Sequence, residues 1–407
     1  MKILVLNCGS SSIKFQLIET DTDLIDRNQD RLLAGGQVEK IGTQEALVHC
    51  QAGERATRDV GLELPDHRAA IAKVIDLLQH TGALARPEEI EAVGHRVVHG
   101  GEFQDSQLIT PEVLRKIEDA VELAPLHNPH NLKGFYVCAE LFPGRPQVAV
   151  FDTAYHQTMP VRAYLYALPY DHFRRHRIRR YGFHGTSHRY VAYRFRQLTE
   201  RSKEETNIIT CHLGNGCSIT AIQGGRSVDT SMGFTPLEGL VMGTRPGDLD
   251  PAIPLHLMAK QEMSVQEVTT LLNRHSGLYG ISGETNDMRT LLESARKGHQ
   301  RARIAVEVFC YRVRKYIGAY TAVLGQVHGL VFTGGIGENA PRVRELSCEG
   351  LAGLGYELDP KKNQSALAGE TEISAASSQA RIFVISTNEE LLIARDAYRI
   401  IEGIENP

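Results

Sequence analysis

Met1-Lys2-Ile3-Leu4-Val5-Leu6-Asn7-Cys8-Gly9-Ser10-Ser11-Ser12-Ile13-Lys14-Phe15-Gln16-Leu17-Ile18 opens the chain. The apolar run at 3–6 reads as a buried β-strand, and residues 13–18 read as a second strand leaving the turn between them. A turn made of one glycine and three serines brings backbone N–H groups and hydroxyls close to whatever lies against it. Lys14 adds a positive charge. That chemistry suits phosphate, with Ser10, Ser12 and Lys14 as its contacts.

The grammar returns at Ile208-Ile209-Thr210-Cys211-His212-Leu213-Gly214-Asn215-Gly216-Cys217-Ser218-Ile219-Thr220-Ala221-Ile222: strand, small polar turn, strand. Asn7 and His212 end the two leading strands and stand about half of the 407 residues apart. A repeat at that period implies two related lobes, each with a phosphate-facing hairpin, and a ligand between the hairpins. His212, Leu213, Gly214, Asn215 and Gly216 make the second turn. A third element follows at 329–344. Residues 329–333 read as a buried strand, Gly334-Gly335-Ile336-Gly337-Glu338-Asn339 as a glycine loop, and Pro341 sits in the first turn of a helix. Strand, glycine loop and helix N-terminus form a bed for a nucleotide.

The totals set bounds. A chain of 407 residues, 42% hydrophobic and 23% charged, is expected to form two soluble domains. A formal net charge of −4 gives no argument for a nucleic-acid partner. No apolar stretch reaches membrane-spanning length, and the N-terminus lacks the features of a signal peptide. Seven dispersed cysteines without a CxxC pair read as reduced thiols, so the expected location is the cytoplasm.

Periodicity gives further strands at 32–38, 46–50, 92–99 and 147–152. It gives helices at 68–79, 111–123, 131–141, 187–198, 264–273, 288–293, 301–324 and 387–401, the last with Thr387 and Glu390 at capping-box spacing. Asp152 ends a buried strand, at the carboxyl edge where open α/β sheets place their chemistry. The arginine-rich stretch 170–181 reads as a solvated arm or an interface. These elements divide into an N-terminal lobe, residues 1–151 with 388–407, and a C-terminal lobe, residues 152–387.

The chain has neither a GxxxxGK[ST] loop nor a GxGxxG fingerprint. Two hairpin phosphate loops and a strand–Gly-Gly–helix segment instead describe the actin-like, sugar-kinase-like ATPase superfamily. That is an α/β fold of two duplicated, ribonuclease H-like lobes with central mixed sheets. Longer stretches narrow the choice: His95-Arg96-Val97-Val98-His99-Gly100-Gly101, Ala124-Pro125-Leu126-His127-Asn128-Pro129, Phe151-Asp152-Thr153-Ala154-Tyr155-His156, Tyr181-Gly182-Phe183-His184-Gly185-Thr186-Ser187-His188, Met242-Gly243-Thr244-Arg245 and Thr387-Asn388-Glu389-Glu390. Together with the glycine turns they resemble the acetate kinase (acetokinase) family, from the first strand to the last helix.

The resemblance implies ATP-dependent, reversible phosphorylation of acetate to acetyl phosphate and ADP by direct in-line transfer, with Mg2+ (or Mn2+) as cofactor and a homodimer as the assembly. Arg96 would grip the substrate carboxylate, since a guanidinium matches a carboxylate two-to-two. Val98, Leu126, Phe183 and Pro236 would form the methyl pocket. His184 and Arg245 would stabilise charge on the migrating phosphoryl group. Asn7 and Glu389 align with the metal positions, and Asp287, Met288 and Arg289 with Gly335, Ile336, Gly337, Glu338 and Asn339 align with the nucleoside contacts. Asp152 matches the family's active-site acid. A carboxylate substrate is already ionised at neutral pH, so the expectation for Asp152 is to orient Arg96 or a magnesium-bound water. Two positions depart from the family pattern: Pro246 stands where Ser is usual and Gly334 where Ala is usual. The rival readings are a propionate kinase, a sugar or glycerol kinase using Asp152 as base, and a chaperone-like ATPase.

Overall fold

Strand β1 (Lys2–Cys8) is apolar on both faces because helices cover both. Leu4 and Leu6 pack against Ile71, Val74 and Leu78 of the His67–His80 helix. Ile3 and Val5 pack against Ile393, Ala394 and Ala397 of the Glu389–Glu402 helix. The end of the chain therefore folds back onto its beginning. Gly94 permits this approach, since a Cβ there would stand 2.8 Å from Ile393 Cγ2.

The computed structural model describes residues 1–125, 127–366 and 369–405. They form two units: Met1–Tyr155 together with the segment from Asn388 onward, and His156–Thr387. The first unit holds β1, β2 (Ser12–Glu19), β3 (Arg31–Glu39), β4 (Ala46–Ala52), β5 (Arg55–Leu62), β6 (Ala92–Val97), β7 (Gln107–Leu108) and β8 (Gln147–Phe151). Their order is β5-β4-β3-β2-β1-β6-β8-β7. The meander β1 to β5 is antiparallel, whereas β1, β6 and β8 run parallel.

The second unit holds β9 (Asn207–Leu213), β10 (Cys217–Gln223), β11 (Arg226–Thr230), β12 (Gly329–Thr333), β13 (Glu370–Glu372) and β14 (Arg381–Ile385), in the order β11-β10-β9-β12-β14-β13. Here too an antiparallel run, β11-β10-β9, continues into a parallel one, β9-β12-β14. The sequence echo is thus an echo of sheet order, and the fold is a two-domain α/β fold.

Several details differ from the sequence reading. The units divide between Tyr155 and His156 rather than after Phe151, because Asp152 N–H still bonds the Val97 carbonyl at 3.0 Å. Strand β5 was not expected. Its Arg55, Arg58 and Asp59 suit the exposed edge it occupies. Residues Gly334–Asn339 form a short helix rather than a loop. Glu338 causes this, since its Oε1 accepts the Gly334 N–H at 2.9 Å. The terminal helix is capped by Asn388, which accepts the Leu391 N–H at 3.0 Å, and not by a Thr387–Glu390 box. In the arginine-rich stretch, Arg174 and Arg175 are solvated, but Arg180 donates to the carbonyls of Thr230, Ser231 and Met232 and to Glu238. Among the described residues no helix is long and apolar enough to cross a membrane.

Candidate functional site

In the first unit the chemistry gathers where β1 and β6 end. Asn7 pairs with Lys14 across the first hairpin, and Gly9 N–H closes the turn on the Ser12 carbonyl at 2.8 Å. Ser10 and Lys14 are exposed and Ser12 is half-buried. His67 Nε2 holds the Gly9 carbonyl at 2.7 Å.

Arg96 lies in β6 one residue beyond the last rung shared with β1. Its Nε and Nη2 donate to Asp152 Oδ1 and Oδ2 at 2.9 and 2.7 Å, a two-to-two fork. Glu389 Oε2 stands 3.7 Å from Arg96 Nε. Burial works against the Arg96 charge, but Asp152, Glu389 and Glu390 outweigh it and hold the guanidinium above its ordinary value. Burial pushes the Asp152 carboxyl up, and Arg96 pulls it back. Burial, then the neighbouring Glu389, also raises Glu390. Behind Arg96, Gly100 has to be glycine, because a Cβ would fall 2.5 Å from the Phe151 ring. Val98 is half-buried beside this group. Leu126 lies outside the described residues.

In the second unit His184 is the N-cap residue of the Gly185–Thr199 helix, held at φ 58°. A non-glycine residue in that conformation costs on the order of 1 kcal/mol, the kind of strain that clusters at functional sites. The His184 ring stacks on His212 with centroids 4.3 Å apart. Its Nδ1 meets Ser218 Oγ at 2.9 Å, and Ser218 Oγ meets His188 Nε2 at 2.7 Å. His212 Nδ1 meets Ser187 Oγ at 2.8 Å. The turn Gly214-Asn215-Gly216 lies against this pair. A Cβ on Gly216 would stand 2.7 Å from Arg245 Nη2 and 3.4 Å from the His184 ring. Arg245 Nη1 donates to the Pro236 carbonyl at 2.9 Å, and among the described residues no carboxylate pairs with it. Burial lowers its pKa, as expected of a desolvated cation. A half-buried guanidinium without an acid is set up to receive an anion. Phe183 is buried nearby in sequence, its carbonyl bonded to His156 Nε2 at 2.9 Å.

A cleft of about 470 Å³ also lies within the second unit. Its walls include Gly214, Asn215, Asp287, Met288, Arg289, Gly335, Ile336 and Asn339, all singled out in the sequence, and also Asn286 and Ala340, which were not. Asn286 donates to Asn215 Oδ1 at 2.9 Å. An asparagine just before a helix carries no sequence signal for such a role. Asp287 caps the Met288–Arg296 helix and pairs with Arg289 at 3.2 Å, which lowers its pKa. Leu213 is fully buried in β9. Gly337 is buried, and Glu338 binds Gly334 N–H, Ser386 Oγ and Thr387 N–H, so neither is among the residues lining the cleft. Arg344, fully buried, fixes that wall by donating to the Gly337 and Glu338 carbonyls, to the side chain and carbonyl of Asn363, and to the Ala366 carbonyl.

The family model for the acetokinase family matches residues 2–395. The acetate kinase of Halothermothrix orenii is 56% identical over 408 aligned positions, covering 99% of this chain and 100% of that one. Among solved structures, Porphyromonas gingivalis acetate kinase superposes with a TM-score of 0.92 at 44% identity, covering 98% and 99% of the two chains. A propionate kinase from Francisella tularensis superposes with a TM-score of 0.90, also at 44% identity, covering 99% and 100%.

Proposed function

Because this chain belongs to the acetokinase family, we propose that it is an acetate kinase, transferring the γ-phosphoryl group of ATP to acetate to give acetyl phosphate and ADP, reversibly. Full-length kinship with curated acetate kinases carries this reading. Propionate is the less favoured acceptor, since relatives at 56% and 52% identity over nearly the whole chain are acetate kinases. A sugar kinase would need a base free to take a hydroxyl proton, whereas Asp152 is engaged at both oxygens by Arg96.

The roles proposed for the residues come from the family resemblance, and the local geometry of each unit supports them. Arg96, fixed by Asp152, offers its outer edge to the acetate carboxylate, whose oxygen is the nucleophile. Val98 of the first unit and Phe183 and Pro236 of the second are the family's candidates for contact with the methyl group. Lys14 and the turn at 9–12 in the first unit are the candidates for phosphate oxygens, as are the Asn215 and Gly216 N–H groups in the second, the Gly214 N–H being spent on the Gly216 carbonyl at 3.1 Å. Arg245, without an acid of its own, and His184 meet the charge spread over the equatorial oxygens during transfer. The cleft walled by Asn286–Arg289 and Gly335–Ala340 accepts the nucleoside.

Mg2+ belongs to this reading. Asp152, Glu389 and Glu390 bring three carboxyls around Arg96, an excess of acid that suits a hard cation. Asn7 and Glu389 would hold it by two oxygens, leaving its other positions to water and phosphate. When bound, such an ion neutralises charge between the phosphates. A homodimer belongs to this reading through the family resemblance. Seven buried free cysteines support a cytoplasmic location.

The test is to incubate the protein with MgATP, acetate and hydroxylamine. Acetohydroxamate and ADP are expected in equal amounts. ADP release indifferent to acetate, or dependent on glycerol, overturns the reading.

A further inference from the structure

Strands β1 and β6 share rungs from Ile3↔Ala92 to Leu6↔His95, and there the ladder stops. Both strands run on, β1 to Cys8 and β6 to Val97. On its other side β6 stays paired with β8 as far as Val97↔Phe151. The sheet therefore opens on one side only. One prong leads into the turn at 9–12, and the other carries Arg96 and Val98.

Asn131 sits in that opening. It lies in the first turn of the Asn128–Leu141 helix and is 3% exposed. Its Nδ2 donates to the Cys8 carbonyl at 2.9 Å, and its Oδ1 accepts the Val98 N–H at 3.2 Å. A carboxamide has the donor and acceptor of a peptide group without the chain. Asn131 thus replaces the rung that the parted strands cannot make, and its length sets the gap. The prongs are steadied on their outer sides as well. Asn128 bonds the N–H and the carbonyl of His99 at 3.2 and 2.9 Å, and His67 holds Gly9.

We propose that Asn131 is a positioning residue for phosphoryl transfer: its carboxamide fixes the separation between the first phosphate turn and the strand end that carries the acyl-binding residues. The proposal rests on the acetate kinase reading. Transfer to a carboxylate needs little from the protein beyond placement and charge. A misplacement of about 1 Å costs on the order of 100-fold. A gap held less firmly also lets water compete with acetate for the phosphoryl group.

The experiment compares wild type with Asn131→Asp and Asn131→Leu. It measures ADP and acetohydroxamate in the same reaction with MgATP, acetate and hydroxylamine. Their ratio is a property of each turnover and does not depend on the folded fraction. In the variants, hydroxamate formation is expected to fall roughly 10- to 100-fold, with the ADP-to-hydroxamate ratio rising from one to two or more and KM for acetate moving less than about threefold. Asn131→Asp keeps the shape and one acceptor, so it carries the test if Asn131→Leu does not fold. Variants that stay coupled one-to-one and keep the wild-type rate per folded molecule overturn the proposal. A wild-type protein that makes no hydroxamate overturns the acetate kinase reading beneath it.

Discussion

Arg96 and Asp152 illustrate what a single residue can tell. Asp152 is 2% exposed and both its oxygens are occupied by one guanidinium, while Arg96 keeps 21% of its side chain accessible. The acid is the inner partner and the base is the outer one. On the acetate kinase reading, an acid so placed aims the arginine, since an ionised substrate offers it no proton to take. Asp152→Asn retains one acceptor for Arg96 and should lower kcat by no more than about 100-fold. Asp152→Ala frees the guanidinium to turn toward Glu389 and should cost about 1000-fold or more, because the arginine loses the fork that aims it. Steady-state kinetics across pH decide the matter. An Asn variant as inactive as the Ala variant, or one whose acidic limb moves, contradicts the orienting role. Arg96 and Asp152 were both visible in the sequence as an arginine and an acid at the ends of buried strands. Asn131 was not, because an asparagine near a helix start looks like capping chemistry.

At the scale of elements, buried histidines set the acid stability. His95 in β6 is buried against Phe135 with Nε2 on Gln147 at 2.8 Å, and burial pushes its pKa down to about 4. Burial likewise holds His99, just past β6, at about 3 and His156 at about 4. His188 in the Gly185–Thr199 helix lies well below the ordinary value through burial and its neighbours His156 and His212. The unfolded chain takes up these protons near 6.5, and the folded chain refuses them until much lower pH. Between those values unfolding binds protons, so stability is full above about pH 7 and is lost as pH falls, by roughly 1.4 kcal/mol per pH unit for each histidine. Asp152, Asp229 and Glu390, raised by burial, act in the opposite sense but number three against four histidines. Denaturant midpoints should therefore drop between pH 7.5 and pH 5, and His95→Gln should reduce that slope. A midpoint independent of pH contradicts this account. The boundaries of elements were less legible than their existence. Glycines suggested a loop at Gly334–Asn339, and a side-chain cap from Glu338, invisible in a local pattern, made it a helix.

For the whole molecule, the half-length repeat in the sequence became a repeat of sheet order, because each hairpin begins an antiparallel run whose first strand also pairs with a parallel neighbour. That much was legible, since buried strands and small polar turns leave a local signature. The side chains that lock the site were not. Asn131, Asn286 and Arg344 act through partners far along the chain, such as Cys8, Asn215 and Ala366. The central claim is that acetate itself attacks the γ-phosphorus, with no phosphorylated protein between. Turnover of ATP made chiral at the γ-phosphorus with oxygen isotopes tests it most directly. The configuration in acetyl phosphate should be inverted, as a single in-line displacement requires. Retention, the mark of two successive displacements through an enzyme-bound phosphoryl group, would contradict it.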